Sequence, residues 1–148
     1  MILMNTPVNP DGPHNDNLTI PSTCRDVGWS LPRDPSSASQ ARKLTRLTLA
    51  SWNLEALLDE TQLMVSELVT NALDHGSGPI GLRFRRGNRL RCEVSDTSPE
   101  LPQQRDSDNE DESGRGLMIV DALATQWGHH TTSEGPGKTI WFELRLPE

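Results

Sequence analysis

The stretch LEALLDETQLMVSELVTNALDHG, residues 54–76, decides the fold of this chain. Small and apolar side chains recur in it at spacings of three and four, which is the period of an amphipathic helix. This stripe consists of Leu57, Leu58, Thr61, Val65, Leu68 and Ala72. Gly76 then serves as a C-terminal cap, since glycine readily adopts the backbone conformations that end a helix. We therefore predict one long helix that buries the stripe.

A shorter amphipathic helix precedes this one and is itself preceded by a strand. The run 36–52 predicts a helix that begins after Pro35 and ends at Asn53, with its basic side chains pointing outward. Residues 27–31 alternate large apolar with small or polar side chains, and Pro32 follows them. That alternation is typical of a half-buried strand.

Four strand-like segments and one further helix follow the long helix. The runs IGLRFR and RLRCEVSD alternate in hydrophobicity, and Gly87-Asn88 between them indicates a hairpin turn. We expect a helix in LMIVDALATQW after Gly116, a strand around 127–131 and a closing strand TIWFELRL at 139–146. The order β-α-α-β-β-loop-α-β-β predicts an α+β fold, a two-layer sandwich of helices on a sheet.

Length and charge restrict the class of protein. The 148 residues suit one domain, and the net charge of −7 argues against a nucleic-acid binder, which needs a basic surface. We predict that residues 1–23, rich in proline and asparagine, form a disordered tail before a folded domain at 24–148. The sequence shows neither a membrane-spanning run nor a signal peptide, so the cytoplasm is the expected location. Cys24 and Cys92 are interpreted as ordinary thiols.

Glu67 and Asn71 are the first candidate site residues, because a spacing of four places them on one face of the long helix. Asp74 and His75 extend the same edge by another turn. A carboxylate and an amide oxygen aligned in this way suit a magnesium ion, which prefers oxygen ligands. The alternative is a solvated helix face with no ligand.

Three further segments carry candidate chemistry. Asp96, at a strand end, can accept a hydrogen bond from an exocyclic amine, although an Asx turn is the alternative. The glycines of Gly114-Arg115-Gly116 stand before an apolar helix, where free backbone N–H groups favour an anion; a plain helix entry is the alternative. The run 135–139 favours a hairpin turn, since it lacks the spacing of a Walker A loop.

The order of these motifs resembles the GHKL superfamily of histidine-kinase-like ATPase domains. In detail it is similar to small stand-alone proteins akin to anti-sigma-factor serine kinases of actinobacterial type. The resemblance covers about residues 25–147 and rests on VSELVTNALDHG (65–76), VSDTSPELP (94–102) and GRGLMIVDALA (114–124). It implies a Bergerat fold, in which helices cover one face of a mixed, mostly antiparallel sheet and ATP binds beneath a lid, here at 97–113.

The resemblance also implies a role for each candidate residue. Glu67 would be the general base or the carboxylate that orients a water, Arg115 would stabilise transferred charge, and Asn71 would ligate Mg²⁺. Asp96 would bind the adenine amino group, with Thr139 supporting it through water. The residues implied in nucleotide binding as a whole are Asn71, Asp74, His75, Asp96, Gly114, Arg115, Gly116, Leu117 and Thr139.

The implied function is a Mg²⁺–ATP-dependent serine/threonine protein kinase. Its partners would be an anti-anti-sigma-type protein, a sigma factor or both, and a homodimer is possible; neither nucleic acid nor a membrane is expected. The alternative is a nucleotide-dependent binding module that controls a transcription regulator without turnover. The alternative gains support because the family's Asp-x-Gly-x-Gly box is here Asp96 followed by Thr97-Ser98-Pro99-Glu100, without glycine. A third possibility is an interaction domain that has lost the nucleotide.

Overall fold

A computed structural model of the chain describes residues 25–98, 112–131 and 137–148, except for the side chains of residues 112–116. The predicted tail at 1–23 and most of the predicted lid lie outside the described residues. The order of the described elements is β1 (Asp26–Leu31), α1 (Ser37–Ser51), a 3-10 turn (Glu55–Leu57), α2 (Leu58–His75), β2 (Ile80–Arg86), β3 (Arg89–Asp96), α3 (Glu112–Leu123), β4 (Gln126–Thr131) and β5 (Lys138–Arg145). The predicted order of strands and helices is confirmed.

The five described strands form one sheet in the order β1-β2-β3-β5-β4. Every pairing among them is antiparallel. The resemblance implied a mixed, mostly antiparallel sheet, and the described strands form the antiparallel part of that expectation. Strand β5 lies between β3 and β4, and the chain therefore crosses one strand position through α3 before it reaches the sheet edge. This topology places the end of β3 beside the start of β5.

The core lies between the helices and one face of the sheet. Alternate strand residues such as Leu82, Phe84 and Phe142 are buried on that face. Helix α2 contributes Met64 and Leu68, which are also inaccessible to solvent. Helices α1 and α3 both pack against α2, which makes α2 the central helix of its layer. The predicted two-layer α+β sandwich is confirmed.

The boundaries of α2 and α3 differ from the predictions, whereas that of α1 agrees. The long helix begins with the 3-10 turn and becomes α-helical only at Leu58. Helix α1 ends before Asn53, whose φ of 58° lies in the left-handed region that asparagine tolerates. Helix α3 begins at Glu112, so it already includes the glycines that the sequence placed before it.

The C-terminal end of α2 and the end of β3 are joined by several backbone contacts. The amide of Thr97 donates to the carbonyl of Ser77 at 2.9 Å, and the Thr97 hydroxyl donates to the same carbonyl. Gly76 lies so close to Asp96 that a Cβ atom there would be 2.6 Å from the Asp96 Cγ and 2.8 Å from the Ala72 carbonyl. Gly78 has a φ of 72°, a conformation that side chains disfavour. The local sequence thus fixes the position of Asp96 relative to α2.

The face of the sheet away from the helices carries charged side chains in pairs. Arg83 donates two hydrogen bonds to the Asp26 carboxylate, at 2.7 and 2.6 Å. Arg91 contacts Glu143 at 2.9 Å and lies over the Trp141 ring, 4.1 Å from its centroid. These pairs connect neighbouring strands and allow this face to remain in water without helices over it.

Two smaller predictions can be compared with the structure. Cys92 is a free thiol in the core, and burial raises its pKa well above the ordinary value, which favours the unreactive protonated form. Cys24 lies outside the described residues. Across the described ranges, each helix is too short or too polar to cross a bilayer.

Replacing Gly76 with alanine should destabilise the fold, because the new methyl group would collide with Asp96 and the last turn of α2. We expect G76A to lower the free energy of unfolding by about 1–3 kcal/mol, as overpacking usually does. The matched control is G87A, since a Cβ atom at Gly87 would meet no atom within 4 Å. Urea denaturation of both variants tests this; equal midpoints would contradict the close approach.

The pair between Asp26 and Arg83 should make stability depend on pH. The hydrogen bonds from Arg83 lower the pKa of Asp26, so the ionised carboxylate stabilises the fold above the unfolded-state pKa of about 4. This contribution is lost as the pH falls through the lower, folded-state pKa. The pair is partly exposed, so D26N should cost at most about 1 kcal/mol at pH 7 and low salt. Urea denaturation at pH 7 and pH 2 should show the difference between variant and wild type vanish in acid; an unchanged difference would refute the assignment.

Candidate functional site

Asp96 lies at the end of β3 with its carboxylate almost completely buried on the helix-facing side of the sheet. Its Oδ1 accepts a hydrogen bond from the Ser98 amide at 2.7 Å, the Asx-turn contact that the sequence left open. The same oxygen accepts a charged hydrogen bond from Lys138 Nζ at 3.0 Å. The side chain of Asp96 is only 3% exposed and that of Lys138 only 8%, so the two residues form a buried ion pair. An aspartate held this way is a rigid acceptor.

Thr139 is not the residue that lies opposite Asp96. Lys138 pairs with Asp96 in the register of β3 and β5, whereas Thr139 pairs with Ser95. Because successive side chains of a strand point to opposite faces, Thr139 lies on the other face of the sheet from Asp96. The expected support of Asp96 by Thr139 through water therefore does not match this register, although Thr139 itself is buried.

The candidate residues of α2 lie along one edge of that helix and lead towards Asp96. Asn71 is 9% exposed and directly precedes Ala72, whose carbonyl is at the contact between Gly76 and Asp96. Glu67 is half-buried one turn earlier. Asp74 and His75 occupy the last turn and are exposed. The structure thus places an amide and a carboxylate in line, beginning near the buried aspartate.

The oxygen atoms of this edge fit a magnesium ion held mainly by a phosphate-bearing ligand. Within the described ranges, no three His, Cys, Asp or Glu side chains form a group that could hold a metal alone. Mg²⁺ needs no such cage, since it commonly keeps several waters and takes one or two protein ligands together with phosphate oxygens. The amide oxygen of Asn71, on a helix, is a ligand of this type and would hold such an ion.

The glycine-containing segment forms the first turns of α3. Gly114, Arg115 and Gly116 are helical, and the positions of their side-chain atoms lie outside the described part of the chain. The first four N–H groups of a helix have no acceptor within it, so the start of α3 retains the anion-binding character expected of this segment. Leu117, which we also expected at the nucleotide, is 2% exposed and packs in the core.

Lys138 is the site residue that the sequence reasoning missed. The pattern of the run 135–139 predicts a turn before the last strand, and the resemblance assigns a role in this run to Thr139 but none to Lys138; residues 132–136 lie outside the described residues. A signal was present, because Lys138 is in phase with Ile140, Phe142 and Leu144, the core-facing residues of β5. A lysine in that phase predicts a buried cation, and a buried cation requires an anionic partner.

Comparison with known proteins agrees with this architecture. The sequence of residues 57–148 matches the family described as histidine kinase-, DNA gyrase B-, and HSP90-like ATPase. In structure, the chain is similar to the RsbU and RsbW domains of Rv1364c from Mycobacterium tuberculosis, with a TM-score of 0.64 and 19% sequence identity. That similarity covers 83% of this chain but only 32% of the other, and at such identity it bears on the fold alone. No curated protein matches the sequence.

The matched region includes the long helix α2, strands β2 and β3, and strand β5, which carries Lys138. It covers more than half of the chain, and the fold and the order of the motifs agree with it. The name of the family implies ATP as the nucleotide. The chain belongs to the family of histidine kinase-, DNA gyrase B- and HSP90-like ATPases.

Proposed function

We propose that this protein is a Mg²⁺–ATP-dependent serine/threonine protein kinase that phosphorylates an anti-anti-sigma-type partner. The observation that carries the proposal is the alignment of Glu67 and Asn71 on α2, leading to the buried Asp96. Phosphoryl transfer depends mostly on positioning and on neutralising phosphate charge. In this proposal α2 provides the positioning, and a bound Mg²⁺ together with Arg115 would neutralise the charge. The resemblance of the motifs to those of anti-sigma-factor serine kinases supports the choice of partner class.

In this proposal each residue has one task. Asp96 accepts a hydrogen bond from the adenine amino group, and Asn71 would hold the Mg²⁺, which neutralises charge on the phosphates when bound. Glu67 accepts the proton of the substrate hydroxyl, and the backbone amides at the start of α3 bind phosphate oxygens. Arg115, in the first turn of that helix, stabilises the transferred charge. Asp74 and His75 lie in the exposed last turn of α2, at the rim of the proposed nucleotide site. Thr139 points to the other face of the sheet, so in this proposal it acts on the nucleotide only indirectly.

A second function is favoured by the residues that follow Asp96. The sequence there contains Thr97-Ser98-Pro99 where relatives have glycines, and Asp96 is already bound by Lys138 and the Ser98 amide. A sequence without glycine at these positions lacks the backbone freedom that glycine provides, which favours a module that binds ATP and changes its affinity for a transcription regulator without turnover. A cytoplasmic location and a possible homodimer are compatible with either function.

Loss of the Asn71 amide should weaken Mg²⁺-dependent ATP binding. We expect N71A to weaken binding at least tenfold when Mg²⁺ is present, because a rigid metal ligand is removed. Isothermal titration calorimetry with ATP, in Mg²⁺ and in EDTA, measures the effect. The loss should be confined to the Mg²⁺ titration; an equal loss in EDTA would remove Asn71 from the metal site.

Loss of the Glu67 carboxylate should separate binding from chemistry. We expect E67Q to bind ATP within about threefold of wild type but to transfer phosphate at least 100-fold more slowly, as loss of a general base usually does. The measurement is transfer of radiolabelled phosphate from ATP to a candidate anti-anti-sigma-type protein. The matched control is D59N, an exposed carboxylate in the first turn of the same helix. Wild type that binds ATP but transfers nothing would favour the binding module over the kinase.

A further inference from the structure

The ion pair between Asp96 and Lys138 divides the two carboxylate oxygens of Asp96 into different roles. Lys138 Nζ and the Ser98 amide both donate to Oδ1, and together they use the two lone pairs of that oxygen. Oδ2 lies on the side of Gly76, whose missing side chain leaves room for the carboxylate. A further donor would therefore be accepted by Oδ2. The orientation of Asp96 is thus set by contacts to Oδ1.

Burial makes this arrangement depend on the lysine charge. With exposed fractions of 3% and 8%, neither side chain can exchange its partner for bulk water. Removing one member of a buried pair leaves an uncompensated charge, which is costly. An aspartate without Lys138 would therefore relax by rotating or by recruiting water, and either change moves Oδ2.

The start of β5 adds a second constraint on Lys138. The residue pairs with Asp96 on β3 and with Thr131 on β4, so its backbone is held from both sides. Its side chain lies in phase with the core-facing residues of β5, on the same face as Asp96. A lysine held in this way has little freedom to leave the carboxylate.

We propose that Lys138 is a positioning residue that presents Oδ2 of Asp96 to an exocyclic amino group, and that it thereby determines the preference for adenine over hypoxanthine. This inference rests on the proposed ATP-binding function. Adenine carries an amino group that donates to a carboxylate, whereas hypoxanthine has a carbonyl oxygen at that position and would face the anion. Lys138 touches neither base; it acts through the orientation of Asp96.

The test compares ATP with inosine triphosphate (ITP), which carries the same triphosphate on hypoxanthine. Calorimetry with Mg²⁺ should show that wild type binds ATP at least tenfold more tightly than ITP, the usual value of a hydrogen bond to a charged acceptor. K138M keeps the length of the side chain but not its charge, and it should reduce this ratio to about threefold or less. ITP affinity itself should change little. K138R should restore most of the ratio.

The control is K43M, because the chain has only two lysines and Lys43 is exposed on α1. An unchanged ATP-to-ITP ratio in K138M, or tighter ATP binding, would overturn the proposal. The tighter binding would mean that Lys138 instead blocks the base. If wild type binds ATP but K138M leaves the ATP-to-ITP ratio unchanged, only this inference fails. If wild type binds neither nucleotide, the proposed function fails as well.

A measurement on wild-type protein keeps the proposal testable even if K138M does not fold. Lysine labelled with ¹³C at Cε gives one NMR signal for Lys43 and one for Lys138, and K43M assigns them. ATP should shift the Lys138 signal clearly more than ITP does, because only adenine donates to the carboxylate that Lys138 holds. Equal shifts with both nucleotides would overturn the role of Lys138.

Discussion

The close contact between the end of α2 and the end of β3 is the constraint on which the rest of this site depends. Gly76 lets the Asp96 carboxylate approach the last turn of the central helix, and the Ser77 carbonyl then fixes Thr97 by two hydrogen bonds. Without this contact, Asp96 and the edge that carries Asn71 would be independent. With it, the helix and the strand form one rigid unit, as accurate positioning of a ligand requires.

The sequence was sufficient to predict the layers of this fold. Alternation in β2, β3 and β5 and helical spacing in α2 are strong signals, because each pattern encodes which face is buried. The ends of elements were harder to predict. The sequence pattern predicts that α3 starts after Gly116, whereas the helix begins at Glu112 and includes both glycines, although glycine lowers helix propensity.

The candidate site was predicted less completely, for a reason that lies in strand register. Sequence motifs identified Glu67, Asn71 and Asp96 individually, and the fold places them along α2 and at the adjoining strand end. Thr139 and Lys138 could be distinguished only by counting from the core-facing residues of β5, since a shift of one residue exchanges the two faces of a strand. The motif favoured Thr139, whereas the register pairs Lys138 with Asp96.

The buried pair also changes the meaning of the missing glycines after Asp96. Glycines at that position would give the carboxylate a flexible neighbour, and its orientation would then be set mainly by the bound base. Here the Ser98 amide and Lys138 orient the carboxylate in advance, so a ligand meets a site that is already ordered. Preorganisation of this kind reduces the entropy that binding must overcome. The absence of glycine after Asp96 and the buried Lys138 are therefore consistent parts of the proposed base-recognition site.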